Sequence, residues 1–209
     1  MQKLRLLSLL AALSAAAVAQ TSQTAPMMTS GQQSSGPVIT SNGPVVADYG
    51  KQIAKAGDST EAKIAKEVRH ELLMLPYYSL FDDLEYSVQD RTVTLSGSLT
   101  SRYAQTKDDA ESAVKRIEGV EKVINNIRVL PPSPFDDRAR EQVYRRMVAN
   151  GPLSQYFWQA APGIHIIVDN LHVTLKGYVD SEGDKNIAGI IAREVPDILS
   201  VTNELQVVK

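Results

Sequence analysis

The sequence predicts an α+β protein built from two tandem αββαβ modules, each a small three-stranded sheet packed by two helices. Three observations lead there. The chain contains an internal repeat, its hydrophobic period switches between those of helix and strand within each copy, and its first residues form a leader that stands apart from both.

The leader comes first in the chain. Lys3 and Arg5 precede an apolar run from Leu6 to Val18, and Ala17-Val18-Ala19 supplies small residues at its exit. Charge, apolar stretch and small-residue exit in that order predict a secretory signal peptide over 1–19, cleaved after Ala19, and a periplasmic or secreted protein. The run is shorter than the roughly 20 residues that span a bilayer, so the mature form is expected to carry no transmembrane segment. From 20 to 57, Ser, Thr, Gln, Gly and Pro dominate. Such a segment buries too little apolar surface to offset its ordering entropy and is expected to be a disordered linker.

The repeat occupies the rest. Leu84 to Gly97 aligns with Ile164 to Gly177, 80 residues on, and both end in Val-Thr-Leu-x-Gly. Gly119 to Val129 aligns in turn with Asp197 to Val207, at a spacing of 78. In the first copy (58–130), Asp58 and Glu61 are placed for a capping box, and Ile64, Val68, Leu72 and Leu75 form one helical face ended by Pro76. Leu84, Tyr86 and Val88 alternate with polar residues, as do Val93, Leu95 and Leu99 after an Asp90-Arg91 turn, which predicts a hairpin with one buried face. Gly97 interrupts the second strand, as a bulge or close backbone approach requires. A helix after Ser101 buries Ala110, Val114 and Ile117, Gly119 suits its left-handed C-terminus, and a strand from Lys122 to Leu130 closes the unit.

The second copy (135–209) repeats the order. It has a helix from Asp136 to Asn150, strands from Gly163 to Asp169 and Leu171 to Val179, a helix from Ser181 to Glu194 and a strand from Ile198 to Val208. The linker 131–134, Pro-Pro-Ser-Pro, favours a stiff extended connection and a limited range of module orientations.

Composition removes several classes of function. There is no cysteine, so thiol nucleophiles, disulfides and Cys-based metal sites are excluded. With 22 basic against 24 acidic residues, the chain is not built for general nucleic-acid binding. The histidines are His70, on the solvated side of a helix, and His165 and His172, on the hairpin face opposite Ile164, Ile166 and Val168. His165 and His172 could begin a metal site with Asp169 nearby, but zinc needs three or four ligands and no fourth candidate recurs at suitable spacing, so no metal site is expected. No catalytic residues and no cofactor are expected either. Asp82-Asp83, Asp108-Asp109 and Asp136-Asp137 read as helix-start or solvated charges.

Val-Thr-Leu-Ser-Gly97 and Val-Thr-Leu-Lys-Gly177 resemble the second-strand motif of the BON domain (bacterial osmotic-stress and nodulation domain). Gly119-Val-x-x-Val123-x-Asn125, with its counterpart ending in Val201-Thr-Asn203, resembles that domain's closing strand. The resemblance covers about Asp58 to Lys209. It implies an αββαβ fold, an envelope location, a role in envelope integrity or stress tolerance, and binding of phospholipid or another envelope component without catalysis. Two departures stand out: Asp197 replaces a usual Gly, and the turns Asp90-Arg91 and Asn170-Leu171 lack one.

For a binding site the residues point to the second copy. Arg138, Arg140, Arg145 and Arg146 lie in its first helix, and Tyr156-Phe157-Trp158, with the only Trp of the chain, follow in the next loop. Basic groups beside interfacial aromatics suit a peripheral contact with anionic phospholipid. The competing reading has the aromatics packed against the sheet and the arginines paired with Asp136, Asp137 and Glu141. A third possibility is a protein-interaction or chaperone-like factor whose partners are envelope proteins.

Overall fold

The computed structural model describes residues 39–40, 59–159 and 161–208; the leader and most of the linker lie outside these. Two modules with the predicted element order follow one another. The first runs α1 (Thr60–Leu73), β2 (Asp83–Gln89), β3 (Thr92–Leu99), α2 (Thr106–Lys115), β4 (Lys122–Asn125) and β5 (Arg128–Val129). The second runs α3 (Pro134–Ala149), the single turn α4 (Gly151–Ser154), β6 (Ile164–Asp169), β7 (His172–Val179), α5 (Glu182–Arg193), β8 (Ser200–Asn203) and β9 (Gln206–Val207).

In each sheet the long second strand is central. β3 pairs antiparallel with β2 and parallel with β4 and β5, and β7 does the same with β6, β8 and β9. A hairpin therefore brings the first two strands together, and a helical crossover supplies the parallel third. Two residues expected in a disordered linker are ordered: Ile39–Thr40 form β1, antiparallel to the outer edge of β2. An edge strand offers unpaired amides and carbonyls, which gives even a two-residue strand its partners.

Periodicity places the cores correctly. Ile64, Val68 and Leu72 of α1 pack on Leu84, Tyr86, Val93 and Leu95, with Ala110 and Val114 from α2. Val143 and Met147 of α3 pack on Ile164, Ile166, Val173 and Leu175, with Ala188 and Ala192 from α5. The cap of α1 is Ser59, not Asp58: its hydroxyl accepts from the Ala62 amide at 3.1 Å. Ser133 and Ser181 cap α3 and α5 in the same manner, accepting from the amides of Asp136 and Asp184.

The motif residues are structural in both copies. Gly97 and Gly177 have φ of 106° and 113°, and a Cβ at either would stand 2.1 Å from the carbonyl oxygen of Asp83 or Gly163 on the neighbouring strand. Asn125 and Asn203 explain why the closing strand is not continuous from Lys122 to Leu130 or from Ile198 to Val208. The Asn125 Nδ2 donates to the Lys107 carbonyl at 3.0 Å and its Oδ1 accepts from the Ile127 amide. Asn203 does the same with Lys185 and Leu205, so each Asn turns the strand and ties it to the helix behind. Gly119 and Asp197 hold the same left-handed position, φ 90° and 68°. The hairpin turns also keep positive φ without glycine, at Asp90, Arg91, Asn170 and Leu171. At the second turn the Asp136 carboxylate accepts from the amides of both Asn170 and Leu171, which holds a β-turn that Leu171 alone would disfavour.

Candidate functional site

Side-chain placement divides the predicted patch. Arg140 is buried, only 4% exposed; its guanidinium donates to Asp137 at 2.6 Å and to the Val168 carbonyl at 2.5 Å, fastening α3 to β6. Tyr156 is buried as well, donating its hydroxyl to Asp184 at 2.8 Å and accepting from the Asp180 amide. Neither can meet a membrane, and both leave the patch.

Phe157 is only partly buried and packs edge-on against Tyr144, ring centroids 5.5 Å apart. Tyr144 in turn meets Phe81 of the first module at 6.2 Å. Four residues remain outward. Trp158 is 78% exposed, and the Arg138 guanidinium lies 5.9 Å from the exposed Phe135 ring. Arg145 pairs with Glu141 at 2.7 Å, both open to solvent. Arg146 donates to the Glu194 carbonyl at the C-terminus of α5 at 3.1 Å, where a cation complements the helix end.

The junction between modules is the site that sequence reasoning missed. Asp82 and Asp83, read as solvated, are buried at 1% and 2% exposure. Asp82 accepts from the amide and hydroxyl of Ser79 and from those of Thr100, pinning the turn that enters β2. Asp83 and Glu85 both receive the Lys176 ammonium of β7, at 2.7 and 2.8 Å. His165, expected on an open face, is fully buried: its Nδ1–H donates to the Asp82 carbonyl at 2.6 Å, and its ring lies against Tyr78. The Ile166 amide donates to the Leu80 carbonyl at 2.8 Å, and Leu80 and Phe81 join the second core.

Burial sets the charges here. It pushes the Asp83 carboxyl up to about 6, with the neighbouring Glu85 adding to the effect and Lys176 opposing it. It pushes the His165 imidazole down to about 4, so the ring is neutral at pH 7. The Lys176 ammonium is disfavoured by burial but raised on balance by its two carboxylates. One signal was present in the sequence: Ile164-His165-Ile166-Ile167-Val168 lacks strand alternation, the mark of a strand covered on both faces. All five residues are buried.

Among the described residues no group of three or more His, Asp or Glu is arranged to hold a metal, and no helix is long and apolar enough to cross a membrane.

The architecture defines a class: a tandem pair of αββαβ modules joined through a buried polar seam. Profile comparison gives the family, since the BON domain matches residues 60–131 and again 135–209. The chain belongs to the BON domain family and carries the domain twice. No curated protein matches it. Among solved structures it is similar to the C-terminal domain of CdsD, a structural protein of the type III secretion system of Chlamydia trachomatis, with 11% identity and a TM-score of 0.26 over 73% of this chain and 100% of that one. A second CdsD structure gives 14% identity and a TM-score of 0.26 over 70% and 92%. Values this low carry no functional argument.

Proposed function

We propose that this BON-domain protein is a non-enzymatic component of the cell envelope, exported by the leader expected over 1–19, that docks on anionic phospholipid through its second module. The contact is formed by Trp158 with Arg145 and Arg146. Trp158 carries the reading. A side chain of that size is ordinarily buried, and its neighbours Tyr156 and Phe157 pack inward while it remains 78% exposed. An indole with arginines near it in the chain suits the boundary between headgroups and acyl chains. Arg145 is held only by an exposed carboxylate, a pairing that lipid phosphates can replace at little cost.

As the chain has a single Trp, its fluorescence reports the contact directly. With phosphatidylglycerol vesicles the expected result is a blue shift of emission and co-sedimentation that weakens with salt. Both should be lost in Arg145→Glu/Arg146→Glu with the fold intact by circular dichroism. Unchanged emission and no sedimentation of the native protein would overturn the lipid reading. Specific crosslinks to envelope proteins would then favour an interaction factor.

A further inference from the structure

The seam between modules also leaves a cleft of about 420 Å³, within the size range of small-ligand sites. Arg102 and Tyr103 of the first module form one wall, and Asp137, Arg140 and Glu141 of α3 form the other. The acidic groups are engaged: Asp137 by Arg140 at 2.6 Å and Glu141 by Arg145 at 2.7 Å. The donors are not. Among the described residues, the Arg102 guanidinium has no ion-pair or hydrogen-bond partner and is exposed. The Tyr103 hydroxyl likewise has none, while its ring is held by parallel stacking on Tyr77, centroids 4.6 Å apart and planes at 7°. Counting Arg145, three arginines attend two carboxylates.

A cleft whose carboxylates are matched and whose free groups are a guanidinium fork and a phenol is built for an anion with several acceptor oxygens. We propose that this inter-module cleft binds a phosphate ester, with Arg102 pairing the phosphate, the Tyr103 hydroxyl donating to it, and the Tyr77–Tyr103 stack holding that donor in place. Two sources present such an ester: a phospholipid headgroup, in which case the site extends the lipid contact proposed above and rests on it, and a soluble molecule.

The test uses the whole mature protein with two probes, phosphatidylglycerol vesicles and sn-glycerol 3-phosphate. Arg102→Glu, which removes a cation and adds an anion, is expected to weaken binding of both on the order of tenfold, and Tyr103→Ala, which removes one hydrogen-bond donor, to weaken both by a smaller factor. Arg102→Lys retains most of the affinity, and melting curves establish that the variants fold. If the native protein binds vesicles, and both cleft variants bind them and glycerol phosphate as the native protein does, the cleft proposal is overturned while the lipid reading stands. Saturable glycerol phosphate binding that depends on Arg102, without vesicle binding, supports the cleft and overturns the lipid reading. Binding of neither probe overturns both.

Discussion

β2 and β6 occupy equivalent places in the two modules, yet the outer face of one is only partly covered and that of the other is enclosed. Glu85 and Ser87 of β2 are partly exposed, whereas His165 and Ile167, 80 residues on, are buried. On the adjoining strand, Ser96 of β3 corresponds to Lys176 of β7, which reaches across to Asp83 and Glu85. The inward residues of the copies match closely and the outward ones do not. A duplicated fold has thus been made into a paired one by changing a few side chains on a single sheet face.

Four predictions test this comparison, beginning with the feature the modules share. Gly97→Ala and Gly177→Ala each drive a Cβ into a backbone carbonyl at 2.1 Å, so each should cost about 4 kcal/mol in urea denaturation. Unequal losses would show that the motif serves the modules differently. Lys176→Ala strips Asp83 and Glu85 of their cation in a largely dry seam and should cost about 3 kcal/mol by the same measurement. Indifference to it would show that the modules need no seam.

Stability should also respond to pH through two buried groups of the seam. Asp83 is raised from 3.8 to about 6, so its contribution is full below pH 3.8 and lost as pH rises through 6. His165 is lowered from 6.5 to about 4, so its contribution is full above pH 6.5 and lost as pH falls through 4. Between pH 4 and 6 the two slopes oppose and nearly cancel. Stability of His165→Phe should therefore rise toward acid, and that of Asp83→Asn should fall, each by up to about 1.4 kcal/mol per pH unit relative to the native protein. Parallel slopes for the two variants would refute the assignment. The smallest effect is at Arg128, whose pair with Asp169 also crosses the seam but is 62% exposed on the Arg side. Arg128→Ala should cost less than about 1 kcal/mol.

The fold was legible because burial on one face leaves a period in the chain. Ile64, Val68 and Leu72 announced α1, and Val93 and Leu95 announced β3, from spacing alone. The breaks in the closing strands were not legible, since Asn125 and Asn203 act through side-chain bonds to residues 18 positions earlier. The seam was hidden for a related reason. Asp83 looks like any solvated acid until Lys176, 93 residues away, is brought to it. Of the candidate patch, residue types and helix placement could be read, but not direction: Arg140 turns in toward Val168 and Trp158 turns out. The cleft beside Arg102 and Tyr103 exists only once two distant segments meet.

The edge-to-face ladder Phe81–Tyr144–Phe157 carries a consequence for how the chain comes apart. Its first rung belongs to one repeat by sequence and to the other repeat's interior by packing. Cutting the chain at the prolines would take Leu80 and Phe81 away from the second core, bare the Tyr144 ring, and uncover His165 and Ile167. Heating the intact protein should produce one cooperative calorimetric peak in place of two. The unit that was duplicated is the single αββαβ module; the unit expected to melt is the pair.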